Sequence, residues 1–351
     1  MTPASSLLLP PPCSPASLRR KRQRETNFET NMQYHQSHQT RTFLATLRHR
    51  QSLSWVLSCR DLLKTVHQPL ALPLDFWHIP TTGLHLRLLG FCGIDDSVNL
   101  LELIDISRRF PFVEWGVLLC NDERMGTPRH ASDAMLEALR QCNYPLQLAG
   151  HLCGTRALEV LNGDFTFVQH LIQCGFQRVQ VNVASAGVPV EMEESYMPSL
   201  RKAMLATPEL EWIIQTSTPP TTAGIPPLPP AAAAAAAARS ALFQKLSKCD
   251  PPPNMSVLHD SSMGLGIEIV HFPAPYSMHV VPKGCGYAGG IGPGNITSVL
   301  RAVQQAAQGQ PVWVDMESSL RTIVEEGRDV FDLRKVLACI ECAVAVMAGE
   351  L

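Results

Sequence analysis

The chain has 351 residues, of which 45% are hydrophobic and 17% are charged, and its formal net charge is −2. This apolar content is enough for one large domain or two ordinary ones, and it excludes a wholly disordered chain. The weak net charge provides no general basic field for a nucleic acid, and no apolar run approaches the roughly 18–20 residues of a membrane span. We therefore expect a globular protein that has neither a nucleic acid nor a membrane as its partner.

The first part of the chain differs from the rest in charge. Residues 1–50 contain eight Lys and Arg against two acidic residues, a net charge of +6. The segment lacks hydrophobic periodicity, so we predict a disordered basic extension whose composition also suits a targeting segment. Residues 51–83 are interpreted as a linker or an extra helix, and residues 84–351 as the folded body. We expect a cytoplasmic protein, and the alternative is an organelle (plastid or mitochondrion) reached through the transit-like segment.

The cysteines indicate a reducing compartment. The chain has 11 of them, an odd number, without a secretory signal. Cys339 and Cys342 form a CxxC within an apolar helical pattern, but no second CxxC and no spaced pair of histidines completes a zinc site. We therefore predict free thiols, no metal and no other cofactor.

From residue 84 onward, short apolar runs alternate with helical stretches. The predicted strands are 84–92, 112–119, 145–149, 178–183, 210–216, 255–259, 286–288 and 312–316. Helices are expected near 95–106, 132–141, 197–206, 238–248, 295–307 and 332–348. Eight buried strands separated mostly by helices are typical of a (β/α)₈ TIM barrel. A doubly wound open sheet is the alternative, but the turn after its first strand, at residues 92–95, lacks the GxGxxG sequence of that fold.

One segment interrupts the alternation. Residues 217–253 contain many prolines and eight consecutive alanines, and proline does not fit a central strand. We predict a Pro/Ala-rich insertion in which residues 217–237 are flexible and partly polyproline-like. The helix that follows the fifth strand is then expected at 238–248.

Polar residues follow most of the predicted strands. In a barrel of this kind, function belongs to the loops at the carboxyl ends of the strands, so these side chains are expected to converge. They include Cys92, Arg129, His151, Asn182, Asp260, Asp315 and Glu317. We interpret this set as the lining of an active pocket.

The seventh and eighth loops indicate a phosphate site. Residues 289–295 read Gly-Gly-Ile-Gly-Pro-Gly-Asn and lead into a helix that Asn295 is expected to cap. Glycines let backbone N–H groups approach an anion, and a helix N-terminus adds positive potential. Ser318 and Ser319 follow the neighbouring eighth strand. The predicted phosphate-binding residues are Gly264, Gly289, Gly290, Ile291, Ser318 and Ser319.

These motifs resemble those of the phosphoribosylanthranilate isomerase family of (β/α)₈ barrels. The following segments match in the family's order, over about residues 84–346: Cys92-Gly93-Ile94 (K-x-C-G-I in the family), Thr127-Pro128-Arg129 (S-P-R), Asp260 with Gly264 and Gly266 (L-D-S…G-G-x-G), Ala288-Gly289-Gly290-Ile291-x-Pro293-x-Asn295 (A-G-G-L-x-P-x-N-V), Val314-Asp315-Met316-Glu317-Ser318-Ser319 (V-D-V-S-S-G) and Gly327-Arg328-Asp329 with Lys335 (G-x-K-D-x-x-K). The chain departs from the family at its third strand, where Gln147-Leu148-Ala149-Gly150-His151 stands in place of V-Q-L-H-G. The resemblance is thus to a divergent member.

The resemblance implies an Amadori rearrangement in tryptophan biosynthesis, in which an N-linked phosphoribosylamine becomes a 1-amino-ketose. It implies that Asp260 is the acid that opens the ring, that Cys92 is the base that removes the C2′ proton, and that Arg129 holds a carboxylate of the substrate. His151, Asn182, Asp315 and Glu317 are predicted to contact the same phosphorylated small molecule. Two alternatives remain: a non-catalytic phosphosugar-binding barrel, and an isomerase of another phosphosugar in which His151, Asp315 and Glu317 transfer the protons. The oligomeric state is not predicted.

Overall fold

The fold is described here from a computed structural model. The structure describes residues 83–120, 123–183, 193–217, 230–248, 250–260 and 272–349. The predicted extension at 1–50, nearly all of the predicted linker at 51–83, and Gly264 lie outside the described residues.

Eight parallel strands close a barrel in sequence order, with β1 hydrogen-bonded to β8. They are β1 (Leu86–Cys92), β2 (Val113–Leu119), β3 (Leu148–Leu152), β4 (Arg178–Val181), β5 (Glu211–Thr216), β6 (Met255–Asp260), β7 (Cys285–Ala288) and β8 (Val312–Met316). The predicted (β/α)₈ TIM barrel is therefore confirmed. In a parallel barrel the carboxyl ends of all the strands meet at one rim, which we call the mouth.

The helices lie between the strands along the chain. They are α1 (Leu100–Arg109), α2 (Asp133–Arg140), α3 (Thr155–Leu161), α4 (Thr166–Gln173), α5 (Glu193–Ala206), α6 (Pro230–Lys248), α7 (Ile296–Ala307) and α8 (Leu333–Ala348). Two short antiparallel strands, β9 (Arg321–Ile323) and β10 (Asp329–Phe331), form a hairpin between β8 and α8. Within the described residues, no helix is both long enough and apolar enough to cross a membrane.

Local signals explain where several helices begin. The side chains of Asn99 and Ser132 accept hydrogen bonds from the first turns of α1 and α2, which satisfies N–H groups that a helix start leaves unpaired. Asn295 behaves differently from the expectation, because its side chain makes no capping bond to α7. Its Oδ1 instead accepts from Gly292 N at 2.8 Å and its Nδ2 donates to Gly290 O at 3.0 Å, so that it ties the glycine loop together.

The third strand is displaced from its predicted position at 145–149. It runs over Leu148–Leu152, and His151 pairs with Leu118 on β2 and with Gln180 on β4. His151 therefore belongs to the strand rather than to the loop after it. The error arose because Gly150 and His151 are weak strand formers, and hydrogen bonds on both sides keep them in the sheet.

Residues 218–229 of the Pro/Ala-rich segment lie outside the described residues, and the alanine tract that follows them is more regular than predicted. Helix α6 begins at Pro230, eight residues before the predicted start, so the alanine tract is helical rather than flexible. Alanine has the highest helix propensity, and proline is tolerated in the first turn of a helix. Ala236 and Ala238 are buried, and α6 packs on β5.

Two apolar layers hold the barrel together. The larger one lies between the strands and the helices and includes Phe91, Trp115, Trp212 and Tyr287. The smaller one contains Leu88, Ile213, Leu258, Ala288 and Trp313, from inward-facing strand positions. Successive residues of a strand point to opposite faces of the sheet. Residues two or four positions after these inward-facing side chains, toward the carboxyl end of the same strand, therefore also face inward. This alternation directs Cys92, Asp260 and Asp315 into the mouth.

Candidate functional site

Three predicted site residues meet at the mouth. Cys92 ends β1, His151 is near the end of β3, and Asp315 lies in β8. The Cys92 Sγ and His151 Nδ1 atoms are 3.1 Å apart, and one donor atom of each of the three residues lies within 4.8 Å of the others. Cys92 and His151 are buried, whereas Asp315 is partly exposed.

Two glycines create the space for this cluster. A Cβ on Gly116 of β2 would stand 2.8 Å from the Cα and 3.1 Å from the Sγ of Cys92. A Cβ on Gly90 of β1 would stand 2.7 Å from Asp315 Oδ1. Atoms at such distances collide, so the close approach of Cys92 and Asp315 to their neighbouring strands requires glycine at both positions.

Burial controls the charge of the cluster. Burial, and then the charges of Asp315 and Glu317, raise the pKa of the Cys92 thiol well above its usual value. Burial and the Arg178 charge lower the pKa of His151 to about 3. Burial, followed by the charges of Glu114 and Glu317, raises the pKa of Asp315 well above its usual value. Near neutral pH the thiol and the imidazole are therefore both uncharged, and they share one hydrogen bond.

Asp260 lies in a second group at the mouth. It is the last residue of β6, and its carboxylate pairs with the Arg239 guanidinium of α6 at 3.1 Å. Arg239 also donates to Asn182 Oδ1 at 3.0 Å, which links the end of β4 to the end of β6. Ser217 Oγ, after β5, donates to the Asp260 carbonyl at 2.8 Å. The mouth therefore contains a carboxylate whose position is set by a buried cation.

Arg129 stands at the rim among acidic groups. Its guanidinium is 3.1 Å from Asp329 and 3.5 Å from Glu317, and its own φ is +77°. Its backbone N–H donates to Asp95 at 2.7 Å, and this bond holds the unusual conformation. Burial raises the pKa of Glu317, and the charge of Arg129 opposes that shift. A substrate carboxylate at Arg129 would therefore share the guanidinium with these two acids.

The glycine loop after β7 faces the loop after β8. Gly289 and Gly290 have φ values of +123° and +61°, and Ser319 Oγ donates to the carbonyl of Ile291. Among the described residues, no group accepts a hydrogen bond from the backbone N–H of Gly290 or of Ile291. Ser318 is exposed beside Ser319. Free backbone donors and an exposed hydroxyl at a loop next to a helix N-terminus are suited to an anion.

The structure gives roles to residues outside the predicted site. Arg239 directly follows the alanine tract, and a single arginine on such a helix was a usable signal. Arg321 donates to Gly93 O and to Asp95, both at 2.8 Å, and so supports the loop after β1. Glu114 and Arg178, 2.7 Å apart, lie inside strands that were expected to be apolar. Charged residues within otherwise apolar strands indicate ion pairs inside the barrel.

The fold and the mouth define the class of this protein: a (β/α)₈ barrel with ionisable groups at the carboxyl ends of its strands. No protein-family model and no curated protein sequence matches the chain. The likeness to phosphoribosylanthranilate isomerases therefore rests on the motifs and on the positions that the barrel gives them.

Proposed function

We propose that the chain is an isomerase of a phosphorylated sugar that catalyses an Amadori rearrangement of an N-linked phosphoribosylamine in tryptophan biosynthesis. One observation carries this proposal. In the closed barrel the strands β6, β7, β8 and β1 are consecutive neighbours. Asp260, the glycine loop, Ser319 and Cys92 follow these strands in that order, so the expected acid, phosphate site and base lie on one continuous arc of the mouth.

The arc suits the two proton transfers of the reaction. The acid donates a proton to the ring oxygen, which opens the ring and leaves an iminium at C1′. The base then removes the C2′ proton to give an enolamine. Return of that proton to C1′ and transfer of the C2′ hydroxyl proton to the carboxylate of the acid give the ketose, so both groups regain their starting protonation and no atoms are gained or lost. The His151 Nδ1 atom lies 3.1 Å from Cys92 Sγ, and this hydrogen bond orients the sulfur. Asp260 is supported as the acid by its position, with Arg239 orienting the carboxyl group.

A different assignment of roles has a specific observation in its favour. Burial raises the pKa values of Asp315 and Glu317 above their ordinary values, which favours carboxyl groups that keep a proton to donate. In this second candidate, an isomerase of another phosphosugar uses these two residues as acids and His151 as the base. The two candidates share the mouth and the phosphate loop, and they differ in which side chains carry the protons.

Substitutions distinguish the candidates. In the first, Cys92→Ser and Asp260→Asn each lower turnover of phosphoribosylanthranilate by about 100-fold or more in protein that circular dichroism shows to be folded. Cys142→Ser, which removes a partly exposed thiol after α2, is the matched control and should keep full turnover. Full activity in Cys92→Ser with loss in Glu317→Gln would favour the second candidate. Phosphosugar binding without turnover of any substrate would support the alternative of a non-catalytic phosphosugar-binding barrel.

The pH dependence gives an independent comparison. A Cys92 base acts as the thiolate, and its pKa is raised above the ordinary 9.0, so the rate should still be rising with pH beyond pH 9. A His151 base, with a pKa of about 3, is already deprotonated at neutral pH, so the rate should not rise above pH 5. A pH–rate profile of the full chain, measured at saturating substrate, separates the two.

Genetic complementation tests the substrate. A strain that lacks its phosphoribosylanthranilate isomerase should grow without tryptophan when it expresses this chain, and the Asp260→Asn variant should not restore growth. Absence of rescue by a chain that is expressed and folded would contradict this substrate.

The phosphate loop has its own test. Gly290→Asp places a carboxylate among the backbone donors, and its φ of +61° is accessible to aspartate. Gly309→Asp is the control, because Gly309 also has a positive φ, meets no neighbour and lies before β8 at the opposite end of the barrel. Isothermal titration with ribose 5-phosphate should show at least a tenfold loss of affinity for Gly290→Asp alone. Equal affinity in both variants would contradict this phosphate site.

A further inference from the structure

The proposed isomerase reaction uses Cys92, but it does not explain why a ring nitrogen and a carboxylate oxygen stand beside that sulfur. Cys92 offers a thiol sulfur, His151 a ring nitrogen and Asp315 a carboxylate oxygen, all within 4.8 Å of one another. We propose that these three side chains bind a divalent transition-metal ion of the zinc type, and that the bound ion prevents Cys92 from acting as a base. The second part rests on the proposed function, whereas the first does not.

The donor types select the ion. Thiolate and imidazole ligands suit Zn²⁺ and its chemical relatives, while Mg²⁺ and Ca²⁺ prefer sites built only from oxygen. Three protein ligands with one open position are the arrangement of zinc sites that keep water or substrate in the fourth place. Cys92, His151 and Asp315 fit that ligand count.

The distances are close to those of a bound site. Zinc bonds of about 2.3 Å to sulfur and about 2.0–2.1 Å to nitrogen or oxygen separate tetrahedral ligand atoms by roughly 3.5 Å. The Cys92 Sγ to His151 Nδ1 distance is 3.1 Å, and the widest separation in the set is at most 4.8 Å. A side-chain rotation of Asp315 that moves its oxygen by about 1 Å therefore completes the site without moving a strand.

The ligands are held by strands rather than by loops. Cys92, His151 and Asp315 belong to β1, β3 and β8, whose backbones are tied into the closed barrel. Gly116 and Gly90 have no side chains, so Cys92 and Asp315 occupy space that a Cβ at either glycine would fill. A preorganised set of this kind binds without the ordering cost that a flexible loop carries.

The surrounding charges also favour a cation. Glu317 follows Asp315 at the same edge, and its negative charge acts on both Cys92 and Asp315. The positive charge of Arg178, near the amino ends of the strands, also acts on Asp315. The Arg178 guanidinium is paired with the carboxylates of Glu114 at 2.7 Å and Glu211 at 2.8 Å. Arg129 lies 3.5 Å from Glu317 and offsets part of its charge, so the charge that favours a divalent ion comes mainly from the ligands themselves, the Cys92 thiolate and the Asp315 carboxylate.

Binding has a chemical consequence for the proposed reaction. The sulfur binds the ion as a thiolate, so the Cys92 proton is released to solvent and the sulfur lone pair becomes a metal bond. A metal-bound sulfur cannot take up the C2′ proton. The metal-loaded chain should therefore lose isomerase turnover, and a chelator should restore it.

Cobalt provides a direct optical test in the full-length chain. We expect metal-free protein titrated with Co²⁺ to bind one ion per chain, with a near-ultraviolet thiolate-to-cobalt absorption band that added Zn²⁺ removes. Cys92→Ser should abolish the band, and His151→Asn and Asp315→Asn should each weaken Co²⁺ binding at least tenfold. Cys142→Ser, which removes a thiol outside the mouth, should leave the band intact. Circular dichroism tests whether each variant is folded. If Cys92→Ser does not fold, His151→Asn and Asp315→Asn still decide whether the site binds the ion.

The outcomes separate the metal site from the proposed function. Absence of the band, or a band that persists in Cys92→Ser, overturns the site whether or not the chain is an isomerase. A Cys92-dependent band in a chain without turnover supports the site and counts against the isomerase. A metal-loaded chain that is as active as the metal-free chain overturns the proposed inhibition.

Discussion

Buried acidic groups are paired with arginines at one end of the barrel, whereas Asp315 at the other end is paired with no arginine that the structure describes. Near the amino ends of the strands, Arg178 pairs with Glu114 at 2.7 Å and with Glu211 at 2.8 Å, and Arg87 also pairs with Glu211, at 2.7 Å. The guanidinium of Arg178 lies 4.3 Å from the centre of the Trp313 ring. At the mouth, by contrast, Asp315 has no ion pair within 4.0 Å among the described residues.

The two arrangements have opposite effects on carboxyl groups. Burial raises the pKa of Glu211, but the charges of Arg178 and Arg87 outweigh it and lower that pKa to about 2. Burial raises the pKa of Asp315 as well, and there the neighbouring acids add to the effect. The paired end therefore stabilises the fold, while the mouth keeps protonatable groups at a cost in stability, which is typical of functional sites.

The largest expected effect is at the paired end. Arg178→Met leaves Glu114 and Glu211 buried without their shared cation, and it should lower the free energy of unfolding by about 3–5 kcal/mol. Urea denaturation followed by circular dichroism measures this loss. Arg140→Met, which removes the partner of Glu137 on the exposed face of α2, should leave the midpoint unchanged. A loss of similar size in both variants would contradict the distinction between buried and surface pairs.

The mouth should respond in the opposite direction. Asp315 is ionised in the unfolded chain above its ordinary pKa of 3.8 but stays protonated in the folded chain to a higher pH, so it destabilises the fold as the pH rises. Asp315→Asn should therefore stabilise the protein at pH 8 and have little effect at pH 3. Urea midpoints measured across this range give the comparison.

Asp329→Asn is the matched control for this experiment. Although burial raises the pKa of Asp329, hydrogen bonds from Arg321 and Arg129 lower it, so the ionised form stabilises the fold above pH 3.8. Removing that carboxylate should destabilise the protein at pH 8. The same sign for Asp315→Asn and Asp329→Asn would contradict the contrast between unpaired and paired acids.

A smaller effect is expected where the mouth is held by neutral hydrogen bonds. Asn295→Ala removes the bonds to Gly292 N and Gly290 O and should cost about 1–2 kcal/mol of unfolding free energy. It should also weaken ribose 5-phosphate binding, because the glycine loop loses its fixed shape. Ser298→Ala, which removes an exposed hydroxyl bond to Asn295 O, should change neither measurement. Equal affinity of Asn295→Ala and Ser298→Ala for ribose 5-phosphate would contradict the expectation that binding depends on the shape of the glycine loop.

The smallest effect is expected at the edge of the paired end. Arg87 is 30% exposed, so Arg87→Met should cost only about 0.5–1 kcal/mol at neutral pH. The stabilisation from Glu211 is complete above its unfolded pKa of 4.5 and is lost as the pH falls toward about 2. In Arg87→Met this acid loss should begin at a higher pH, which acid titration followed by tryptophan fluorescence measures. An unchanged acid transition would assign the low pKa of Glu211 to Arg178 alone.

The fold was largely predictable because parallel strands in a barrel are buried on both faces. Such strands appear in sequence as short apolar runs, and the run at 312–316 coincides with β8. The sequence pattern was misleading where local composition opposed the tertiary environment. The Gly150-His151 pair and the alanine tract both look irregular in sequence, yet β2 and β4 hold the first in a strand, and α6 packs the second against β5.

The sequence by itself determined the order of the strands and the polar residues at their ends, because burial and turn chemistry are local properties of the chain. Only the tertiary structure decided which of these residues meet. Only β2 lies between the strands of Cys92 and His151, whereas Cys92 and Asp315 are more than 200 residues apart in the chain. Closure of β8 onto β1 brings Asp315 beside the other two. The charges of Arg178 and Arg239 likewise acquire their roles only through the partners that the barrel places beside them. A side chain's pKa and reactivity depend on burial and on neighbouring charge, and both are set by the closed barrel.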